Sequence, residues 1–214
     1  DKHYGELAHL KLEDLEAGAR VEVDPKKKYA LDFVLWFKAV GKYKNHVMQW
    51  DSPNGRGFPG WHVECSAMSM QYLGEQFDIH TGGSDLIPVH HTNEIAQSEA
   101  ALVKRPWVKY WLHGGFLTIR GEKVSRSMGG LYTLSELENM GYDSLVYRYL
   151  CLLTHYRKPL EFSLDSLTAA QNALQKLRLK VQEILNYPQR GEKSAEKYME
   201  EFQHAVNDDL NMPQ

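Results

Sequence analysis

The stretch Phe77-Asp78-Ile79-His80-Thr81-Gly82-Gly83-Ser84-Asp85-Leu86-Ile87-Pro88-Val89-His90-His91-Thr92-Asn93-Glu94 decides how the chain is read. Its first four residues alternate apolar and polar side chains, as a strand does. Thr81 to Asp85 form a glycine-rich turn, and Pro88 suits the first turn of a helix, where its missing N–H goes unmissed. Strand, glycine turn and helix in that order mark a nucleotide-binding α/β sheet. Glycines there let a ligand approach the backbone, and the helix N-terminus favours an anion. Asp85 suits two roles equally: accepting hydrogen bonds from ribose hydroxyls, or capping the helix.

Within the expected helix, His90 and Glu94 are four residues apart, so both project from one face. An imidazole and a carboxylate so placed form half of a metal site, although the same pair also occurs on solvated helix faces. His91, three residues from Glu94, competes with His90. Upstream, Gly60-Trp61-His62-Val63-Glu64-Cys65 supplies a thiol, which on its own reads equally as a small buried hydrophobe. Taken together, thiolate, imidazole and carboxylate suit zinc. Three ligands leave a fourth position for substrate, water or a ligand from elsewhere.

Downstream, Gly121-Glu122-Lys123-Val124-Ser125-Arg126-Ser127 combines cations and hydroxyls in a glycine-bounded loop. Such a loop can follow charge developing on a triphosphate, while its plainer reading is a solvated basic turn.

Composition narrows the class. The 214 residues carry a formal net charge of −3, with 43% hydrophobic and 25% charged residues, as in a soluble globular protein. Bulk charge does not mark a nucleic-acid binder, although a local basic patch would suffice for one. No apolar run is long enough to span a bilayer, and the opening residues lack a signal pattern. Two cysteines, Cys65 and Cys151, exclude a disulfide framework and point to a reducing, cytoplasmic setting.

Elsewhere, 30–36 reads as a short strand or buried segment, 61–73 as a helix stopped by Gly74, and 88–103 as the helix carrying His90 and Glu94. A further strand is expected within 107–118, and helices over 134–140 and 144–153. Leu167, Leu174, Leu177, Val181 and Leu185 recur at three or four residues, predicting an amphipathic bundle helix over 164–185. Another helix begins near Glu196.

The ordered set comprises Gly60-Trp61-His62-Val63-Glu64-Cys65-Ser66-Ala67-Met68, Phe77 to Leu86, His90-His91-Thr92-Asn93-Glu94-Ile95-Ala96-Gln97-Ser98-Glu99, Trp111-Leu112-His113-Gly114-Gly115-Phe116 and Lys123-Val124-Ser125-Arg126-Ser127. It resembles the cysteinyl-tRNA synthetase family of class I aminoacyl-tRNA synthetases, and the resemblance covers nearly the whole chain. The resemblance implies ATP-dependent activation of L-cysteine as cysteinyl-adenylate, with Mg2+ accompanying ATP, and transfer to cysteine tRNA. It implies that zinc binds the substrate thiolate and that Cys65, His90 and Glu94 are zinc ligands. The family's fourth ligand is a cysteine near its N-terminus, absent from these residues. By the same resemblance Trp61 floors the cysteine pocket, His80 and His113 are active-site histidines, and Gly83 and Asp85 bind the nucleotide. Lys123, Val124, Ser125 and Arg126 correspond to the phosphate loop.

That loop departs from the family's usual Lys-Met-Ser-Lys-Ser at Val124 and Arg126. Arginine keeps the charge but is wider and forked. Met128-Gly129-Gly130 replaces a usual Leu-Gly-Asn, and Thr92 a usual Glu. The implied fold is α/β: part of a Rossmann-type class I synthetase core followed by an α-helical bundle. Residues 1–44 would end a connective insertion, 45–127 form the second half of the nucleotide-binding domain, 128–163 contact the tRNA stem, and 164–214 begin the bundle. The first half, with its His-Ile-Gly-His signature, is not among these residues, so this segment alone is expected not to form cysteinyl-adenylate. Two alternatives stand beside this reading. One is the mycothiol-pathway cysteine ligase, from which Glu94 and Ala96-Gln97-Ser98-Glu99 differ. The other is a non-catalytic synthetase-like RNA-binding module, for which the retained Cys65, His90, Glu94 and Lys123 would have little use.

Overall fold

Turn-rich residues 52–60 bring two short extended segments together. In the computed structural model, which describes residues 3–10, 27–29, 32–119, 121–123, 132–187 and 195–213, β1 (Trp36–Lys38) pairs antiparallel with β2 (Gly57–Pro59). Among the described residues of the apolar run, strand structure begins at Trp36: Trp36, Phe37 and Lys38 pair with Pro59, Phe58 and Gly57. Phe37, Tyr43, His46 and Phe58 stack around this ribbon.

Helix α1 (Trp61–Leu73) has the expected bounds. It stops at Gly74, whose φ of +90° is a conformation that glycine adopts without penalty. The strand that follows, β3 (Phe77–Gly83), runs further than expected: Thr81, Gly82 and Gly83 belong to it rather than to a turn. β3 is hydrogen-bonded to β4 (Val108–Gly114). Contacts from Gln76 to Pro106, Phe77 to Trp107 and Asp78 to Lys109 advance in step, so the two strands run in the same direction. Between them lie a 3-10 turn (Ser84–Leu86), a π-helical turn (Ile87–His91) and helix α2 (Thr92–Leu102). The regular helix thus starts four residues beyond Pro88, and the N-cap position before the 3-10 turn belongs to Gly83, not Asp85.

The chain divides into two compact units, Asp1–Leu112 and His113–Gln214. In the first, buried Phe77, Trp107 and Val108 form an apolar core with Met70, Leu102 and Trp111. Helices α1 and α2 also meet across a polar seam. Buried Ser66 accepts hydrogen bonds from Gln97 Nε2 at 2.6 Å and Ser98 Oγ at 2.9 Å. Small hydroxyls allow close helix approach and pair the Ser66 and Ser98 hydroxyls with each other, while Gln97 Oε1 stays buried without a partner.

In the second unit β5 (Leu117–Ile119) pairs antiparallel with β6 (Glu122–Lys123) and parallel with β7 (Leu160–Glu161). Helices α3 (Leu134–Asn139), α4 (Ser144–Leu152), α5 (Leu164–Asn186) and α6 (Glu196–Asn207) make up the rest. Reciprocal capping boxes open α3 (Thr133 with Glu136) and α5 (Ser163 with Ser166). Leu137, Val146, Leu150, Phe162, Leu167 and Ala170 form the core. The expected stripe on α5 is covered only in its first half. Leu167 is buried, but Leu177, Val181 and Leu185 are about half exposed or more among the described residues. No described helix is long and apolar enough to cross a membrane.

Leu167 is fully enclosed in the core of the second unit. Leu167→Ala should lower stability by about 2–5 kcal/mol, read as a reduced urea midpoint. A midpoint unchanged from wild type would remove Leu167 from the core.

Candidate metal centre

The centre is assembled from three pieces of the first unit. The opening turns of α1 carry Trp61, His62 and Cys65. β3 carries His80. The π-helical turn and the start of α2 carry His90, His91 and Glu94.

In a regular helix, neighbours such as His90 and His91 point about 100° apart, and one would face away. Here the backbone widens into the π-helical turn, and Thr92 Oγ1 donates to the Ile87 carbonyl at 2.7 Å. Both imidazoles are buried, with exposures of 4% and 1%. His90 Nε2 lies 3.7 Å from Glu94 Oε2, and His91 Nε2 lies 3.8 Å from it. The regular helical turn expected across His90 and Glu94 is therefore replaced, and the replacement brings in both histidines. Gly82 makes room for His91: a Cβ there would stand 2.5 Å from His91 Cε1.

Glu94 has no solvent exposure. His80 Nε2 approaches its Oε2 at 3.3 Å, yet Oε2 has no hydrogen-bond partner of ordinary geometry. Burial of a carboxylate without compensation costs several kcal/mol. A cation bound by this oxygen would remove that penalty. One ligand atom each from Cys65, His90 and Glu94 lie within 4.8 Å of one another. Tetrahedral zinc with a sulfur and two N/O donors needs separations of about 3.3–3.6 Å, so small side-chain movements suffice. A second set, His80, His91 and Glu94, meets the same distance test and shares the carboxylate. Only the first set contains the soft thiolate that favours zinc.

The electrostatics suit a cation. Burial, then the charges of Glu94 and Glu64, push the Cys65 thiol above its ordinary range. Burial lowers His90 and His62, favouring the neutral imidazoles, each with one unprotonated ring nitrogen. The Trp61 ring packs 4.2 Å from the His90 ring while 59% exposed, giving the centre an aromatic, open side. His80 stacks on Trp111 at 4.8 Å, and His91 packs on the same indole.

The remaining sequence candidates are placed as follows. Gly83 ends β3, and exposed Asp85 sits in the 3-10 turn just after it. His113 lies on β4 and belongs to the second unit. Lys123 lies on β6, its backbone opposite Thr118. Val124, Ser125 and Arg126 fall outside the described residues. Sequence reasoning gave no role to His62, Asn93 or Tyr4, which together contact the centre. His62 Nδ1 lies 2.8 Å from His90 Nδ1, and its Nε2 lies 3.1 Å from the Asn93 amide. Tyr4 Oη donates to Asn93 Oδ1 at 2.6 Å. His62 was legible, being three residues before Cys65 on one helix face. Tyr4, 89 positions from Asn93, carried no local signal.

Comparison with known proteins is consistent across relatives. A cysteine–tRNA ligase of Treponema denticola is 54% identical over 183 residues, covering 86% of this chain and 37% of that protein. One from Carboxydothermus hydrogenoformans is 46% identical over 218 residues, covering 99% and 46%. One from Geotalea uraniireducens is 53% identical over 174 residues, covering 81% and 34%. The chain thus spans between about a third and a half of the curated relatives it matches. A ternary complex of Agrobacterium radiobacter K84 LeuRS, tRNA and LeuAMS is similar over 60% of this chain and 20% of that one, with TM-score 0.45 and 16% identity, too loose a likeness to bear on the fold. The family described as tRNA synthetases class I (C) catalytic domain matches residues 1–172, and the chain belongs to that family.

Proposed function

We propose that this chain is the zinc-bearing part of a catalytic domain that joins L-cysteine to ATP, as cysteinyl-adenylate, and then to cysteine tRNA. The observation that carries the proposal is that Cys65, His90 and Glu94 each bring a ligand atom within 4.8 Å of the others, while Glu94 Oε2 is buried without a hydrogen bond. When bound there, zinc would supply a Lewis-acid site that prefers sulfur to oxygen. That preference separates cysteine from serine, which a pocket of ordinary contacts discriminates weakly.

The residues divide the work. Cys65, His90 and Glu94 hold the metal, and Trp61 lines the open side where the substrate side chain would enter. His80, against Glu94, orients the carboxylate, and His113 is a candidate contact for the reacting groups. Gly83 and Asp85, at the end of β3, suit the nucleotide sugar. Lys123, Ser125 and Arg126 would steady the phosphates of ATP with Mg2+, beside Val124. The in-step pairing of β3 and β4 around α2 supports a Rossmann-type reading of 45–127, with 1–44 ending an insertion, 128–163 meeting the tRNA stem and 164–214 starting a helical bundle. Free cysteines suit a reducing, cytoplasmic setting.

Three outcomes test this reading. First, the chain should bind one zinc, and the cobalt-substituted form should show a thiolate charge-transfer band. Cys65→Ser should abolish the band and Glu94→Ala should lose most of the metal; full zinc content in both variants would refute the centre. Second, binding must displace the Cys65 proton, held tighter than usual, whereas His90 is already neutral. Zinc affinity should therefore rise about ten-fold per pH unit from roughly pH 7 upward, until the Cys65 thiol ionises unaided. A flat profile across that range would exclude Cys65 as a ligand. Third, in a catalytically competent protein containing this chain, Arg126→Ala should slow cysteine-dependent pyrophosphate exchange about 10²-fold or more with zinc content unchanged. Cysteine transfer to an amino sugar instead of tRNA would favour the mycothiol-type ligase.

A further inference from the structure

His90 presents two nitrogens to two different neighbours. Nε2 faces Glu94, at 3.7 Å from Oε2, while Nδ1 meets His62 Nδ1 at 2.8 Å. Metal-bound histidines usually give their second N–H to a carboxylate or carbonyl, which can only accept. Here the partner is another imidazole, which can donate or accept but must choose. One proton lies between two neutral rings, and its side fixes the tautomer of both.

The choice passes outward through buried groups. His62 Nε2 lies 3.1 Å from Asn93 Nδ2, and Asn93 Oδ1 accepts from Tyr4 Oη at 2.6 Å. Asn93 itself is 3% exposed. With the amide oriented this way, Asn93 donates to His62 Nε2. His62 then carries its proton on Nδ1 and donates to His90 Nδ1. His90 in turn carries its proton on Nε2, aimed at Glu94. The hydrogen bonds from Tyr4 through to His90 Nδ1 are all satisfied, but the His90 nitrogen facing the metal position has no free lone pair.

The reverse arrangement is also self-consistent. If the Asn93 amide turns by 180°, Oδ1 accepts from His62 Nε2–H and Nδ2 donates to Tyr4 Oη. His62 Nδ1 then accepts from His90 Nδ1–H, leaving His90 Nε2 bare. Proton count is conserved. The proton between the rings shifts from His62 to His90, His62 gains one on Nε2, and His90 gives one up from Nε2.

We propose that Tyr4, Asn93 and His62 form a tautomer switch, in which the Asn93 amide orientation decides whether His90 can ligate metal. Asn93 and His62 are thus positioning residues for the centre. The proposal rests on the zinc reading above and goes beyond it by assigning the control of one ligand to a side chain that touches no metal.

The test is long-range 1H–15N NMR of the histidine rings in the 214-residue chain, with and without zinc. Without metal, His62 should be protonated at Nδ1 and His90 at Nε2. With zinc, His62 should be protonated at Nε2 and His90 at Nδ1. Zinc bound with His62 still protonated at Nδ1 overturns the switch while leaving the centre intact; no zinc binding at all overturns both. Asn93→Asp, which can only accept, should show His62 protonated at Nε2 even without metal, and Nδ1 protonation there would count against the switch. Asn93→Leu should weaken zinc affinity about 10–100-fold with the circular dichroism spectrum retained. Affinity equal to wild type in a folded Asn93→Leu chain would exclude Asn93 from control of His90.

Discussion

A carboxylate with no access to water organises the first unit. Glu94 sits fully enclosed, with three imidazole nitrogens between 3.3 and 3.8 Å from one of its oxygens. Burial lowers His90, so that ring offers a lone pair rather than a counter-charge. The arrangement therefore gathers imidazole nitrogens around a buried carboxylate oxygen that has no hydrogen-bond partner.

The scaffold spends regular structure to reach this arrangement. A uniform α-helix from Pro88 would turn His90 or His91 outward, and the π-helical turn prevents it. Ser66, Gln97 and Ser98 join α1 to α2 through small polar side chains, so the two segments that carry the candidate donors approach closely. Gly82 yields its side-chain space to the His91 ring. Each feature is a local departure from the best helix or sheet chemistry. All of them lie within one turn of a donor residue or in direct contact with one, as expected where function overrides local preference.

The same logic explains what could be read from sequence. The bounds of α1 were legible because Gly74 is a strong stop and the preceding turn is dense in proline and glycine. Cys65, His90 and Glu94 could be picked out as candidate donors because helical spacing and ligand chemistry agree, and the structure brings a ligand atom of each within 4.8 Å of the others. The π-helical turn was not legible, since it depends on the Thr92 hydroxyl reaching the Ile87 carbonyl and on what the two rings meet after folding. The extension of β3 through Thr81 to Gly83 was hidden because glycines read as turns, whereas here one glycine clears space for a ring. Beyond Leu174 on α5, periodicity correctly gave a helix but said nothing of what covers its stripe. Tyr4 reaches Asn93 across 89 positions, and no periodic pattern reports a contact of that kind.

Under the proposed zinc reading, charge accounting would bear on selectivity. A Cys65 thiolate and the Glu94 carboxylate would together offset a divalent cation, and His90 would add a donor without adding charge. In a low-dielectric pocket a charge-balanced metal–ligand set is far cheaper to bury than a charged one. A remaining position on the metal would favour a soft anion over water or a hydroxyl. Without a cation, burial favours the protonated Cys65 thiol over the reactive thiolate. Recognition of sulfur would thereby become a property of the loaded centre rather than of pocket shape. That is the physical reason a chain of this family would keep an uncompensated carboxylate in its interior instead of replacing it with a better-packed apolar residue.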